Sequence, residues 1–251
     1  MSKIVCVFVI VFMIMSCNSS DSWDCVKTAG DIQKEEIDVD FFDKLDIRDR
    51  IQLIVKSGLE RKVILETGEN LRDKISLTVN DSILRMENKN KCNLFRDYGE
   101  TKIFVTTPQL EEIRNGSVFP VLSDGVLNYE KLDLISEDTN FDEEIHTVGD
   151  FELDIDVDKL NIIANGSAHF FIKGKADQTF IGFYSGISRF EGAELMMQDL
   201  RIFHRSSNDM IVKPQSAIRG KIVSVGNVIA LNRPQVIDVE ELWDGRLIFQ
   251  D

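Results

Sequence analysis

The chain has 251 residues, and its 43 acidic residues outnumber the 29 basic ones, which gives a formal net charge of −14 at pH 7. This balance argues against nucleic-acid binding, because phosphate contacts need clustered Lys and Arg. It also argues against a protein that lies flat on an anionic membrane, and it favours solubility in a crowded compartment. The length suffices for one large domain or two small ones.

The chain begins with a short apolar segment. Every residue from Ile4 to Met15 is apolar, behind a start that carries only Lys3. A transmembrane helix needs about 20 apolar residues, whereas the apolar region of a secretory signal has about 7–15. The end of the segment, Ile14-Met15-Ser16-Cys17, resembles the lipobox of bacterial lipoproteins. That resemblance implies a signal peptide at residues 1–16 and an outer-membrane lipid anchor on Cys17; the alternative is a plain signal peptide followed by a chance cysteine.

Two cysteines remain in the predicted mature chain. Cys6 leaves with the signal and Cys17 takes the lipid, so Cys25 and Cys92 form an even pair. In an oxidising compartment such a pair predicts a structural disulfide, and its wide spacing does not fit a redox motif. A loop of this length would stabilise the fold by roughly 4 kcal/mol on the loop-entropy argument. Residues 17–25 are predicted to be a polar tether.

The pattern from residue 37 onward predicts an all-β fold. Residues 26–108 hold segments rich in Val, Ile, Leu and Thr, bounded by turn residues. These segments are residues 50–57, 62–67, 74–81, 83–88 and 102–107. They are either irregular first turns of a repeat or an antiparallel cap. The best candidate for a helix is "GAELMMQDL", residues 192–200.

A repeat is the most informative feature of the second half. The pattern Leu-x-x-Ile-x-Asn-Gly-Ser starts at Leu110 and recurs at Leu160. Looser versions of the same plan start at Leu132, Phe180, Leu200 and Ile222. The intervals between successive starts are mostly close to 20, with a longer one between Leu132 and Leu160. A period of about 20 residues is typical of a solenoid, in which each repeat forms one turn, or rung.

Residues 109–251 are therefore predicted to form the rungs of a parallel β-helix. Stacked rungs, with strands about 4.8 Å apart, bury a column of inward side chains that a single rung cannot bury. The corners Asn115-Gly116, Asn165-Gly166 and Ser185-Gly186 supply residues that tolerate positive φ. An antiparallel sandwich or meander is the alternative that the turn spacing leaves open.

With its lipobox, polar tether, strand-rich segment and "NGS", "SG" and "VGN" corners, the chain resembles the head GIN domain family. Members of that family are regarded as auto-transporter adhesins and are common among lipoproteins of Bacteroidetes-type bacteria. The resemblance covers residues 37–251. It implies a right-handed parallel β-helix in the cell envelope and an adhesive role, and it brings no catalytic residues with it.

Acidic residues offer a candidate metal site. Alternation in "FELDIDVD", residues 151–158, places Asp154, Asp156 and Asp158 on one face. Successive acids on that face lie about 7 Å apart, too far to share one Ca²⁺, so an acid from an adjacent rung, such as Asp138, would have to complete the site. The alternative is a solvated acidic face balanced by nearby lysines. Paired acids could also catalyse polysaccharide cleavage.

A basic patch offers a candidate ligand site. Arg201, His204 and Arg205 form, with Lys213 and Arg219, the most basic cluster of the acidic chain. The cluster could bind an acidic ligand such as a glycan, but the neighbouring acids favour a salt-bridged surface. Nucleophile-elbow, phosphate-loop and zinc motifs are absent from the sequence. We therefore expect a non-catalytic binding or adhesion module for a glycan or surface protein, with a lipid anchor and no cofactor. A polysaccharide-active enzyme and an envelope scaffold are the alternatives.

Overall fold

The computed structural model describes residues 28–90, 101–138 and 145–250, and within these residues the protein is built from strands. Apart from a 3₁₀ turn at Arg72–Lys74, the elements are 18 strands joined in one mostly parallel sheet. The all-β prediction is confirmed. The helix predicted at residues 192–200 is wrong, because a strand, Leu195–His204, covers most of that segment. In the described part of the chain, no helix has the length and apolar character needed to cross a membrane.

The first part of the chain contains both parallel and antiparallel strand pairs. Its strands are β1 (Ile32–Glu36), β2 (Lys44–Asp49), β3 (Gln52–Ser57), β4 (Lys62–Gly68), β5 (Ile75–Asn80), β6 (Ile83–Asn88) and β7 (Lys102–Thr107). Strands β1 and β4, β4 and β7, and β5 and β6 pair antiparallel, whereas β2 and β6, and β3 and β7, pair parallel. Strands β2 and β3 also pair parallel with β8 and β9 of the second part, so this segment continues into the main sheet.

The second part of the chain holds the long strands. They are β8 (Glu112–Ser117), β9 (Val121–Ser136), β10 (Phe151–Ala164), β11 (His169–Phe183), β12 (Arg189–Glu191), β13 (Leu195–His204), β14 (Met210–Val212), β15 (Pro214–Ile222), β16 (Val228–Ala230), β17 (Val236–Glu241) and β18 (Leu247–Phe249). Every pairing among these described strands is parallel, which does not fit the antiparallel sandwich.

The pairing register reveals a repeat in space. Leu132 faces Leu160, which faces Thr179, which in turn faces Leu200, and Leu200 faces Ile218. The spacing along the chain is therefore uneven, longest between the first two of these residues and shortest between the last two. The predicted repeat starts at residues 132, 160 and 200 lie in register, but those at 180 and 222 are displaced by one and by four positions. The apolar pattern assigns a buried position to Phe180, but the structure places its polar neighbour Thr179 there.

Columns of side chains run through the core. One column contains the five residues just named, each at most 4% exposed. Another includes Phe151, Phe170 and Phe190, which face one another on β10, β11 and β12 and are fully buried. Because parallel pairing in register places equivalent residues about 4.8 Å apart, like side chains stack on like. The rings of Phe151 and Phe170 are 4.9 Å apart and nearly parallel.

The Asn-Gly corners use their residues differently from the prediction. Positive φ occurs at Gly186 (82°) but at neither Gly116 nor Gly166, so the predicted reason is wrong for both Asn-Gly corners. At Gly116 the requirement is close approach, because a Cβ there would lie 2.9 Å from the carbonyl oxygen of Ile47. Asn115 is buried, and its side-chain amide donates to the carbonyl oxygens of Phe119 and Asp150, both at 3.1 Å. The corner therefore satisfies buried backbone groups.

Candidate functional site

The acids of β10 face lysines of the neighbouring strand. The carboxylate of Asp154 lies 3.4 Å from the ammonium of Lys173, and that of Asp156 lies 3.0 Å from the ammonium of Lys175. The hydrogen bond with Asp156 raises the pKa of Lys175. Asp158 is exposed at the next position on the same face. These pairs match the solvated, lysine-balanced face that the sequence offers as the alternative to a calcium site.

The structure does not bring Asp138 to these acids. Its backbone N–H donates to the side chain of Asn165, and the side chain of Asn165 donates back to its carbonyl oxygen. Asn165 follows the end of β10, whereas Asp154 lies near its start. Among residues 28–90, 101–138 and 145–250, no three His, Cys, Asp or Glu side chains are grouped so that they could hold a metal ion.

The basic patch is divided between the surface and the interior. Arg201 and Arg205 are exposed, but His204 is fully buried. Arg201 and His204 are an odd number of positions apart on β13, and an odd separation places side chains on opposite faces of a strand. The grouping of His204 with the two arginines is therefore corrected: its ring packs inward, 6.1 Å from the ring of Phe183.

Burial governs the chemistry of His204. Neither ring nitrogen has a partner with hydrogen-bond geometry among the described residues, although backbone groups of Asn208 and Gly226 lie near the ring. Burial lowers the pKa of His204 to about 4, and backbone groups of Asn208 and Gly226, with the carboxylate of Asp209, offset this only in part. The imidazole is therefore neutral at pH 7 and contributes no charge to the surface.

The three cysteines of the anchor and disulfide predictions, Cys17, Cys25 and Cys92, lie outside the described residues.

Beside Arg201, the outward side chains of β11, β13 and β15, together with Tyr184 directly after β11, form a surface that we call the aromatic–basic face. It comprises Phe180, Tyr184, Arg201, Phe203 and Lys221. The pairing register sets this arrangement, because Phe180 lies opposite Arg201, and Phe203 lies opposite Lys221. The rings of Tyr184 and Phe203 stack with centroids 5.2 Å apart. Tyr184 is 43% exposed.

A glycine brings two of these rings together. A Cβ on Gly182 would lie 2.9 Å from ring atoms of both Phe180 and Tyr184. These residues precede and follow Gly182 by two positions, so all three lie on the same side of the strand. The two rings thus lean over the glycine and cover it, and Gly182 is buried although its position faces outward.

Two open grooves cross the aromatic–basic face. One has a volume of about 370 Å³ and is lined by residues that include Lys159, Asn161, Phe180 and Arg201. The other has a volume of about 460 Å³, and its lining includes Phe180, Arg201 and Tyr184. Because Phe180 and Arg201 line both, the grooves meet at this pair. A third groove, of about 520 Å³, lies along the acidic face of β10.

Ion pairs distinguish the cations on and beside the aromatic–basic face. The guanidinium of Arg219 lies 3.5 Å from the carboxylate of Asp199, and the ammonium of Lys221 lies 3.2 Å from that of Glu240. Arg201, where the grooves meet, has no side-chain partner in the part of the chain that the structure describes. The face therefore offers, beside aromatic rings, a guanidinium that no described side chain pairs with.

Sequence reasoning identified Arg201 but missed the rings beside it. Phe203 lies two positions from Arg201, and Tyr184 lies four positions from Phe180. Even separation on a strand predicts a shared face, and this signal could have found both pairs.

Fold and surface together define a class of protein: an all-β protein of mostly parallel strands with an open aromatic and basic face. A profile of the family described as "putative auto-transporter adhesin, head GIN domain" matches residues 41–234. The chain therefore belongs to the head GIN domain family, which confirms the resemblance. No curated protein matches the sequence.

Solved structures share this fold. A "putative adhesin" from Bacteroides fragilis NCTC 9343 matches with a TM-score of 0.78 and 18% identity, over 89% of this chain and 100% of its own. A "putative adhesin" from Parabacteroides distasonis ATCC 8503 gives 0.65 and 14%, over 89% and 99%. A "putative lipid binding protein" from the same strain gives 0.58 and 14%, over 88% and 100%. At these identities the similarity establishes the fold.

Proposed function

We propose that the protein is a non-catalytic binding module of the bacterial cell envelope and that it binds its ligand on the aromatic–basic face. The observation that carries the proposal is the meeting of two open grooves at Phe180 and Arg201, on strands held rigidly in a parallel sheet. Membership in a family of adhesins supports a binding role and an envelope location. The lysine-paired acids of β10 do not favour acid–base catalysis, for which one carboxyl group must change protonation state.

The proposal includes a β-solenoid architecture. Each long strand pairs in parallel with the strand about one repeat further along the chain, and equivalent apolar residues stack in columns. Both features are what stacked rungs require. In this proposal residues 109–251 form the rungs, and residues 26–108 form a first unit that begins the stack.

The proposal also includes a lipid anchor on Cys17 and a cell-surface location. Protease treatment of intact cells should then remove the domain, while a periplasmic protein used as an integrity control stays intact. In a Cys17→Ser variant the domain should leave the membrane fraction, because its only proposed attachment is gone. Full protection of the wild-type domain would contradict surface adhesion and favour a periplasmic scaffold. Membrane retention of the variant would contradict the anchor.

A disulfide between Cys25 and Cys92 completes the proposal. Neither thiol should react with an alkylating reagent in the denatured protein until a reductant is added. A Cys25→Ser/Cys92→Ser double variant provides the matched control, since it lacks both sites of reaction. Alkylation of the wild-type pair without prior reduction would show that the bridge does not form.

A further inference from the structure

We infer that the aromatic–basic face binds an acidic polysaccharide, with sugar rings on Phe180, Tyr184 and Phe203 and an anionic group on Arg201. This inference rests on the proposed binding function and names its ligand class. The anionic group is a carboxylate or a sulfate, which share the chemistry that a guanidinium recognises.

The charge of Arg201 is the first argument. In a chain of net charge −14, several of the exposed cations on the neighbouring strands are neutralised within the protein. Lys173, Lys175, Arg219 and Lys221 each have a carboxylate within 3.5 Å. Arg201 has none among the described residues, although it lies opposite Phe180 at the junction of the grooves. The N–H donors of its planar guanidinium can therefore contact two oxygens of a carboxylate or a sulfate at the same time.

The aromatic rings are the second argument. Tyr184 is 43% exposed and stacks on Phe203, while Phe180 and Tyr184 approach each other over Gly182. Phe180 and Phe203 are half-buried, so the three rings form one partly exposed aromatic cluster, and such a cluster marks a binding site more often than a single exposed residue does. Sugar rings have apolar C–H faces that pack on aromatic rings, while their hydroxyl groups remain available to polar neighbours such as Asn161, which lines one of the two grooves together with Phe180.

The shape of the surface favours a linear polymer. The grooves are open and extend over neighbouring strands, each about 4.8 Å from the next, so that ligand positions can repeat along the face. A compact small molecule is usually held in a cavity that buries most of its surface. An extended peptide would need a free strand edge. The backbones of β11, β13 and β15 are paired on both sides with neighbouring strands, so this face offers no such edge.

Single-stranded nucleic acid is the other anionic polymer that stacks on aromatic rings. It also needs a continuous basic groove to follow its phosphates. Here the acids Asp199 and Glu240 pair with the flanking cations, and the whole chain repels a polyanion of high charge density. A polysaccharide with one charge per sugar or fewer fits the isolated guanidinium better.

The test measures binding of the full-length protein, purified in mild detergent, to four immobilised polymers: polygalacturonate, a dextran sulfate that carries at most one sulfate per sugar, neutral dextran and oligothymidylate. The wild type is expected to bind polygalacturonate, dextran sulfate or both, more weakly as salt rises, and not neutral dextran. Arg201→Ala and Tyr184→Ala should each weaken binding about tenfold or more, as expected for loss of a charge-assisted hydrogen bond or a central aromatic contact. Tyr184→Phe should retain binding because the ring remains.

Arg205→Ala is the matched control. It removes the same charge from an exposed arginine that lines neither groove, and it should change affinity less than twofold. Thermal unfolding of every variant separates lost binding from lost folding. Preference for polygalacturonate or for dextran sulfate identifies the anionic group as carboxylate or sulfate.

Four results would overturn the inference: no binding of either acidic polysaccharide, equal losses in the Arg201 and Arg205 variants, binding of neutral dextran to the same extent, or tighter binding of oligothymidylate. These failures differ from failure of the proposed function, because surface location and retention by Cys17 are measured on cells without any polysaccharide. Shortening of a bound polysaccharide would instead contradict the non-catalytic role, and loss of that activity in Asp154→Asn would support the enzyme.

Discussion

Replacing Phe170 with alanine is expected to lower the free energy of unfolding by about 3–5 kcal/mol. The Phe170 ring is fully buried, stacks 4.9 Å from that of Phe151 and lies 5.7 Å from that of Phe183. The substitution removes the buried apolar surface and leaves a cavity in the middle of the aromatic column. Parallel pairing of β11 on both sides fixes the backbone around it, so the cavity cannot close by a local shift.

The neighbouring residue supplies the control for this prediction. Phe171 points to the other face of β11 and is 43% exposed, so Phe171→Ala makes the same chemical change and should cost less than about 1 kcal/mol. Guanidinium unfolding followed by circular dichroism gives both values from the shift in midpoint. Equal midpoint shifts would mean that the side of the strand facing the core has been assigned wrongly. A fall in slope for Phe170→Ala alone would mean that the sheet no longer unfolds as one unit.

The sequence predicts the all-β class and part of the repeat because both are local patterns. Leu160 and Leu200 were assigned correctly, since they are apolar, lie on strands and precede a small-residue turn. The burial of Thr179 was missed because it depends on residues far along the chain. Thr179 lies between Leu160 and Leu200 on the adjacent strands, and this pairing places its hydroxyl in a column of aliphatic side chains. The connections between strands make the repeat longest after Leu132 and shortest after Leu200, and no regular period can anticipate such changes.

The site was predicted only in part, for a related reason. Arg201 stands out by its charge, but its partners Phe180 and Phe203 become neighbours through strand register and strand parity. Parity alone, applied to Arg201 and His204, would have separated these two residues. The position of Asp138 beside Asn165 depends on how the chain leaves β9, which periodicity does not specify.

His204 is expected to make the fold sensitive to acid. Its imidazole has a pKa of about 4 in the folded protein, whereas the ordinary value in an unfolded chain is about 6.5. Between these values the unfolded state binds more protons than the folded state, so stability increases with pH across this window. The contribution is present in full above about pH 6.5 and is lost as the pH falls toward 4. Its total size is about 3 kcal/mol.

A His204→Leu variant isolates this contribution, because all other titrating groups are shared with the wild type. The difference in unfolding free energy between pH 7 and pH 4 should be about 3 kcal/mol smaller in the variant than in the wild type. At pH 7 the variant should be close to the wild type or more stable, since it replaces two ring nitrogens that have no partner with hydrogen-bond geometry among the described residues. Denaturant midpoints at half-unit pH steps give both curves. Parallel curves of stability against pH would mean that the folded protein protonates His204 as readily as the unfolded chain does. Water or a local opening would then reach the ring of His204, which lies between Phe183 and Ile222 in the sheet.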